Sequence, residues 1–295
     1  MSTATTSKNP APRPAAPSGS GLSFLRVVKS EWIKITTVPS TVILLAITIV
    51  VMVGLAALAA WGTAQIVNEF GGGAPTGGPD AAPQAGPPAA DSLVPEIPAS
   101  GLFFGQLLIA SLAVVLIASE WGTGMIRSTF SAVPKRIPAL LAKNLLIAVI
   151  SFVVGAGAAF ISFLVAQPIL GSADLTLSLD DDGVLASILN TGTCLALIAV
   201  FAMAIGTLLR NTAGGVVTAI GIIFVLPLVV AIVENLADWI PDAARFLPSN
   251  AGTQLVTAGP IADGALTQLQ GGLVLAAWAA VLLIASLIVT KRRDV

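Results

Sequence analysis

The chain has 295 residues, of which 56% are hydrophobic and 10% charged, and its mean hydropathy is +0.94. Soluble domains carry about 25% charged residues, so this composition excludes an ordinary water-soluble fold. There is no histidine and a single cysteine, Cys194, which removes imidazole bases, histidine metal sites, Ser/His/Asp triads and any disulfide or cysteine cluster within one copy.

Residues 1–21 have few bulky apolar groups and are read as a disordered cytoplasmic tail, because so little burial cannot offset the entropy of ordering. The first forty residues hold no apolar stretch of the kind a secretory signal places near the N-terminus, so the first apolar segment is read as a retained span. Over 22–38, Leu22, Leu25, Val28, Trp32 and Ile35 recur at three- and four-residue steps. Ser23, Arg26, Ser30, Lys34 and Thr37 fall opposite them, with Lys29 on the border. The spacing predicts an amphipathic helix lying in the membrane interface, with Trp32 at headgroup depth and Pro39 near the turn into the bilayer. A basic flank that anchors the first span is the other reading of the same residues.

From 39 to 295 the sequence predicts an all-α integral membrane domain of six transmembrane helices, near 41–60, 102–119, 144–166, 184–209, 213–233 and 271–290. Each stretch is long enough to cross a hydrocarbon core about 30 Å thick, and a helix is the only open-chain solution there. With the N-terminus inside, every basic residue except Arg245 falls on the inner side, and every acidic residue except Glu31, Glu120 and Asp294 falls outside. That bias requires an N-in/C-in bundle. The first outer segment, 62–100, contains a Gly/Pro run over 71–90 that reads as a flexible loop. The second, 167–183, carries Asp174 and Asp180, Asp181 and Asp182; a hard-cation site is one reading and a solvated acidic loop the simpler one. The third, 234–270, has room for short helices dipping into the outer leaflet.

The inner segment Glu120 to Lys143, EWGTGMIRSTFSAVPKRIPALLAK, is far longer than a simple reversal needs. It reads as a rigid basic knob for another protein or anionic lipid, or as a plain positive-inside stop. This loop resembles that of the type-2 ABC-exporter permeases of actinobacteria, through Glu120, Gly124, Ile126, Arg127, Pro134, Arg136 and Lys143. The preceding RVVKSEWIKITTVPST is similar to that family's first amphipathic helix, with Glu31, Trp32 and Lys34 at matching places. What the resemblance implies is a half-transporter in a bacterial inner membrane. Two permease copies pair, and a separate cytoplasmic ATPase docks on the loop (Glu120, Gly124, Arg127, Pro134, Lys135, Arg136, Lys143) and on the helix (Arg26, Lys29, Glu31, Trp32, Lys34).

The chain carries no G-x-x-x-x-G-K-[ST] phosphate cradle, so ATP and magnesium belong to the partner and no cofactor or catalytic residue is expected here. The expected partners are thus the ATPase, a second copy and membrane lipids, with no nucleic acid. An uncharged aliphatic interior points to a hydrophobic or amphipathic exported substrate. The alternatives are an ion-coupled secondary carrier, which the absence of ionisable groups within the six stretches disfavours, and a structural or sensory membrane subunit. Gly155, Gly157, Gly214 and Gly215 are expected to allow close helix contacts in any such bundle.

Overall fold

The computed structural model describes residues 23–70, 90–132, 136–259, 261 and 264–292. The tail 1–21, the Gly/Pro run over 71–89, and Pro134 and Lys135 lie outside the described residues. Helix α1 spans Phe24–Thr37 and α2 spans Pro39–Phe70. The short α3 (Ala90–Leu93) continues as a 3₁₀ helix, Val94–Ala99, into α4 (Leu102–Gly122). Then come α5 (Met125–Ala132), α6 (Ile137–Gly171) and α7 (Val184–Leu209). Helix α8 (Thr212–Ile220) passes through a π-helical turn, Gly221–Val225, into α9 (Leu226–Val233). The chain ends with α10 (Trp239–Ala244), α11 (Pro248–Val256) and α12 (Gln268–Arg292). No strand occurs among the described residues.

Six helical stretches are long and apolar enough to cross a membrane: Pro39–Glu69, Val94–Gly122, Ile137–Gly171, Val184–Leu209, Thr212–Leu236 and Gln268–Arg292. This is a multi-pass membrane protein. Several helices outrun the uncharged stretches that announce them, most clearly α6, which starts at Ile137 rather than near 144 and continues to Gly171. Its extra turns are amphipathic, and they hold together because Ala139, Leu140, Ala142 and Lys143 are buried.

Local chemistry sets the breaks. Pro227 has no N–H to donate and its ring displaces the carbonyl four residues back. The π turn takes up that mismatch, and its end is closed by the Leu226 N–H donating to the Gly221 carbonyl. Asn211 caps α8, its Oδ1 accepting from the Gly214 N–H at 2.8 Å.

Helices α4 and α7 form the centre, with 61% and 67% of their most apolar windows buried, against 11–17% for α2, α8–α9 and α12. The tightest approaches are made by glycine. A Cβ on Gly192 of α7 would stand 2.6 Å from the Phe152 carbonyl of α6, and one on Gly155 would stand 2.9 Å from Leu195. A Cβ on Gly215 would meet Val114 at 2.6 Å, whereas Gly157 faces open space and Gly214 meets its own cap. Gly155 and Gly215 are therefore contact residues, and Gly157 is not.

Successive spans alternate in direction, which sorts charge between the two ends. One end gathers α1, the α4–α6 connection with Arg127, the α7–α8 link with Arg210, and Lys291 and Arg292 of α12. Arg136 reaches the Thr290 carbonyl, and Arg210 stacks 4.0 Å above the Trp121 ring, tying these segments together. The opposite end carries Glu69, Glu96, Asp174, Asp180, Asp181, Asp182, Glu234, Asp238 and Asp242.

That acidic end is closed by the 3₁₀ helix, whose Val94, Ile97, Pro98 and Ala99 are buried, and by α11, where Asn190 Nδ2 donates to the Leu255 carbonyl at 2.9 Å. The 234–270 segment does contain short helices: α11 is packed into the bundle, while α10 has no buried residue. In the aspartate loop, Asp181 Oδ2 accepts from the Ser178 N–H at 2.7 Å. No group of three metal-ligating side chains occurs among the described residues.

Candidate functional site

At the basic end, α1 lies against the start of α6 and the end of α4. The face it turns to the bundle overlaps the apolar stripe only at Ile35: Val27, Glu31 and Ile35 are buried, while Leu25 and Trp32 of the stripe point away from the protein. Lys34, expected on the polar side, turns inward. The reason is electrostatic. A carboxylate at position 31 is tolerated inside only if cations meet it, and the helix is rotated so that they do.

Four side chains make an alternating ring. Lys143 Nζ stands 2.5 Å from Glu31 Oε2 and 2.8 Å from Glu120 Oε1. Lys34 Nζ closes the ring at 2.7 Å from Glu31 Oε1 and 3.5 Å from Glu120 Oε1, and also donates to Thr129 Oγ1 of α5 at 3.3 Å. Glu31, Glu120 and Lys143 are each at most 3% exposed, whereas the Lys34 side chain keeps a third of its surface open. The charges of two carboxylates and two ammonium groups cancel, which offsets much of the cost of taking each ion out of water. Burial alone would raise the pKa of Glu31, but Lys143 and Lys34 outweigh it and hold that carboxyl below its ordinary value. For Lys34, burial works downward, and Glu31 with Glu120 outweighs it to hold the ammonium above its ordinary value.

Of the residues the sequence singles out, the structure thus joins Glu31, Lys34, Glu120 and Lys143. Lys143, expected in a loop, is a buried residue of the α6 helix; the loop is shorter than 120–143 because α4 runs to Gly122 and α6 begins at Ile137. Between them Gly124, at φ +73°, makes the left-handed turn that starts α5, a conformation glycine adopts without strain. Arg127 is exposed on α5, next to the buried Ile126. Arg26, Lys29 and Trp32 are exposed on α1 and do not reach the ring. Arg136 caps α6 beside α12 instead of joining α5. Thr129, Trp121, Arg210 and Thr290 complete this end and were not legible as a group, since their contacts span distances in sequence that no local period encodes.

Between α1 and α5 runs a cleft of about 270 Å³, bordered by Val27, Ser30, Glu31, Lys34, Ser128 and Thr129. Of the ring, Glu31 and Lys34 line this cleft, and Lys34 is the more exposed of the two. No protein-family model matches the chain, and no characterised protein matches it.

Proposed function

We propose that this chain is the membrane-spanning permease subunit of an ABC transporter of a bacterial cell membrane, exporting a hydrophobic or amphipathic substrate on ATP hydrolysed by a separate subunit. Its basic end faces the cytoplasm with both termini, α1 lies along the inner interface with Leu25 and Trp32 toward lipid, and two copies pair. The observation that carries the reading is the buried ion ring. Helices α1 and α5 are the parts of the basic end available to a motor, and Lys34, Glu31, Glu120, Lys143 and Thr129 tie both of them to the feet of α4 and α6. A push on that surface is transmitted into α4 at the centre of the bundle instead of being lost in a loose loop. Coupling of this kind is mechanical and assigns no catalytic residue to the chain. The basic residues sort to one end as they do at a cytoplasmic face.

Purification of the tagged chain from its native membrane is expected to bring an ATPase subunit with it. Arg127→Glu is expected to leave insertion unchanged and to abolish stimulation of the ATPase, because it reverses an exposed charge on α5 without touching the ring. Recovery of the chain with no ATPase, or full stimulation in the variant, would contradict the assignment.

A further inference from the structure

At the acidic end, four helical elements border a partly open pocket of about 460 Å³, well inside the range of small-molecule sites. Gly62, Thr63 and Ile66 of α2, Glu96 and Ser100 in and after the 3₁₀ helix, Phe103 of α4, and Thr253, Val256 and Thr257 at the end of α11 line it, each set at helical spacing. The chemistry of this lining is one-sided. Thr63 Oγ1 donates to the Ala59 carbonyl at 3.0 Å and Ser100 Oγ to the Ile97 carbonyl at 2.8 Å. Thr253 Oγ1 donates to the Ser249 carbonyl at 3.1 Å and Thr257 Oγ1 to the Thr253 carbonyl at 3.0 Å. All four hydroxyl protons are thereby used on backbone carbonyls, and only oxygen lone pairs remain for a ligand. Glu96 adds a carboxylate, and among the described residues it has no ion-pair partner and no Lys or Arg lines the pocket. Apolar walls with acceptors and one negative charge, but no side-chain donor to spare, match a ligand that brings its own positive charge and an apolar body.

We propose that this pocket binds an amphipathic organic cation, its charge against Glu96 and its apolar part between Ile66, Phe103 and Val256. The role of the pocket as a substrate site rests on the export reading above; its affinity for such a cation does not. Phe103 adds an aromatic ring on the same wall, a favourable neighbour for a cation. Gly62 keeps the pocket open: a Cβ there meets nothing within 4 Å, so a larger side chain fills the space without disturbing the packing.

The test uses the full chain in nanodiscs of zwitterionic lipid, without nucleotide or partner, with tetraphenylphosphonium as probe and triphenylphosphine oxide as its uncharged counterpart. Saturable binding that favours the cation is expected. Glu96→Gln is expected to weaken cation binding about tenfold, as for loss of one charge near a protein surface, and to leave the neutral compound unaffected. Gly62→Leu is expected to abolish binding of both while keeping the wild-type unfolding midpoint. Absent cation binding, equal binding of the two probes, or unchanged cation affinity in Glu96→Gln would each overturn the proposal. Because no ATPase is present, the pocket can stand if none co-purifies, and fail while the transporter reading survives.

Discussion

Lys143 is the residue on which the basic end turns. It is buried between Glu31 and Glu120, and its removal leaves two carboxylates with only the half-open Lys34 as counter-charge. Lys143→Met is expected to destabilise the protein by about 3 kcal/mol, the range found when one partner of a buried pair is deleted, measured by detergent-induced unfolding. An unchanged midpoint would mean that the ring does not hold α1 to α6. The two shifted groups also fix a pH profile. Glu31 titrates lower in the folded protein than its ordinary 4.5, so its contribution is present above pH 4.5 and is lost as pH falls from there through the depressed folded value. Lys34 titrates higher than its ordinary 10.5, so its contribution is present below pH 10.5 and is lost as pH rises through the elevated folded value. Stability is therefore expected to be flat through neutrality and to fall at both extremes, with Glu31→Gln reducing the acid-side loss. A midpoint that rises on acidification below pH 4.5 would contradict the ring.

Among the elements, α6 and α7 share the most extensive contact, and glycine lets their backbones come close. Gly192→Leu forces a side chain against the Phe152 carbonyl and is expected to cost about 1–3 kcal/mol, whereas Gly157→Leu, facing open space, is expected to fall within about 0.5 kcal/mol of wild type. Unfolding midpoints of the two variants check the contrast. The sequence singles out Gly157 and not Gly192, because helical periodicity alone does not say which neighbour a face will meet. The same limit explains α1. Its helix was legible at nearly its full length, but hydrophobicity marked only an apolar stripe with Leu25 and Trp32 and gave no sign of the side that packs on protein. The true inward face contains Glu31, which becomes a core residue only because Lys143, over a hundred positions later, arrives beside it. Helix ends were under-read for a related reason: the turns from Ile137 to Lys143 are stabilised by packing and ion pairing and not by apolar composition. The pocket at the acidic end was not legible at all, since Gly62, Glu96 and Thr253 come from three separate elements and none belongs to a motif.

For the molecule as a whole, the six spans were readable because lipid imposes long uncharged helices, and the number of such helices agrees with the number of apolar stretches. The sorting of basic and acidic side chains to opposite ends follows from that number, since alternating helices bring α1, α5 and the last turn of α12 to one side. The account of function depends on that side being cytoplasmic, where a motor subunit and ATP are found. The direct measurement is accessibility in intact cells to a membrane-impermeant maleimide, in a Cys194→Ala background carrying either Ser128→Cys on α5 or Asp182→Cys in the aspartate loop; both positions are exposed. Position 182 is expected to label in intact cells and position 128 only after the membrane is permeabilised. Labelling of position 128 from outside intact cells would reverse the topology and remove the docking surface from the compartment where an ATPase works.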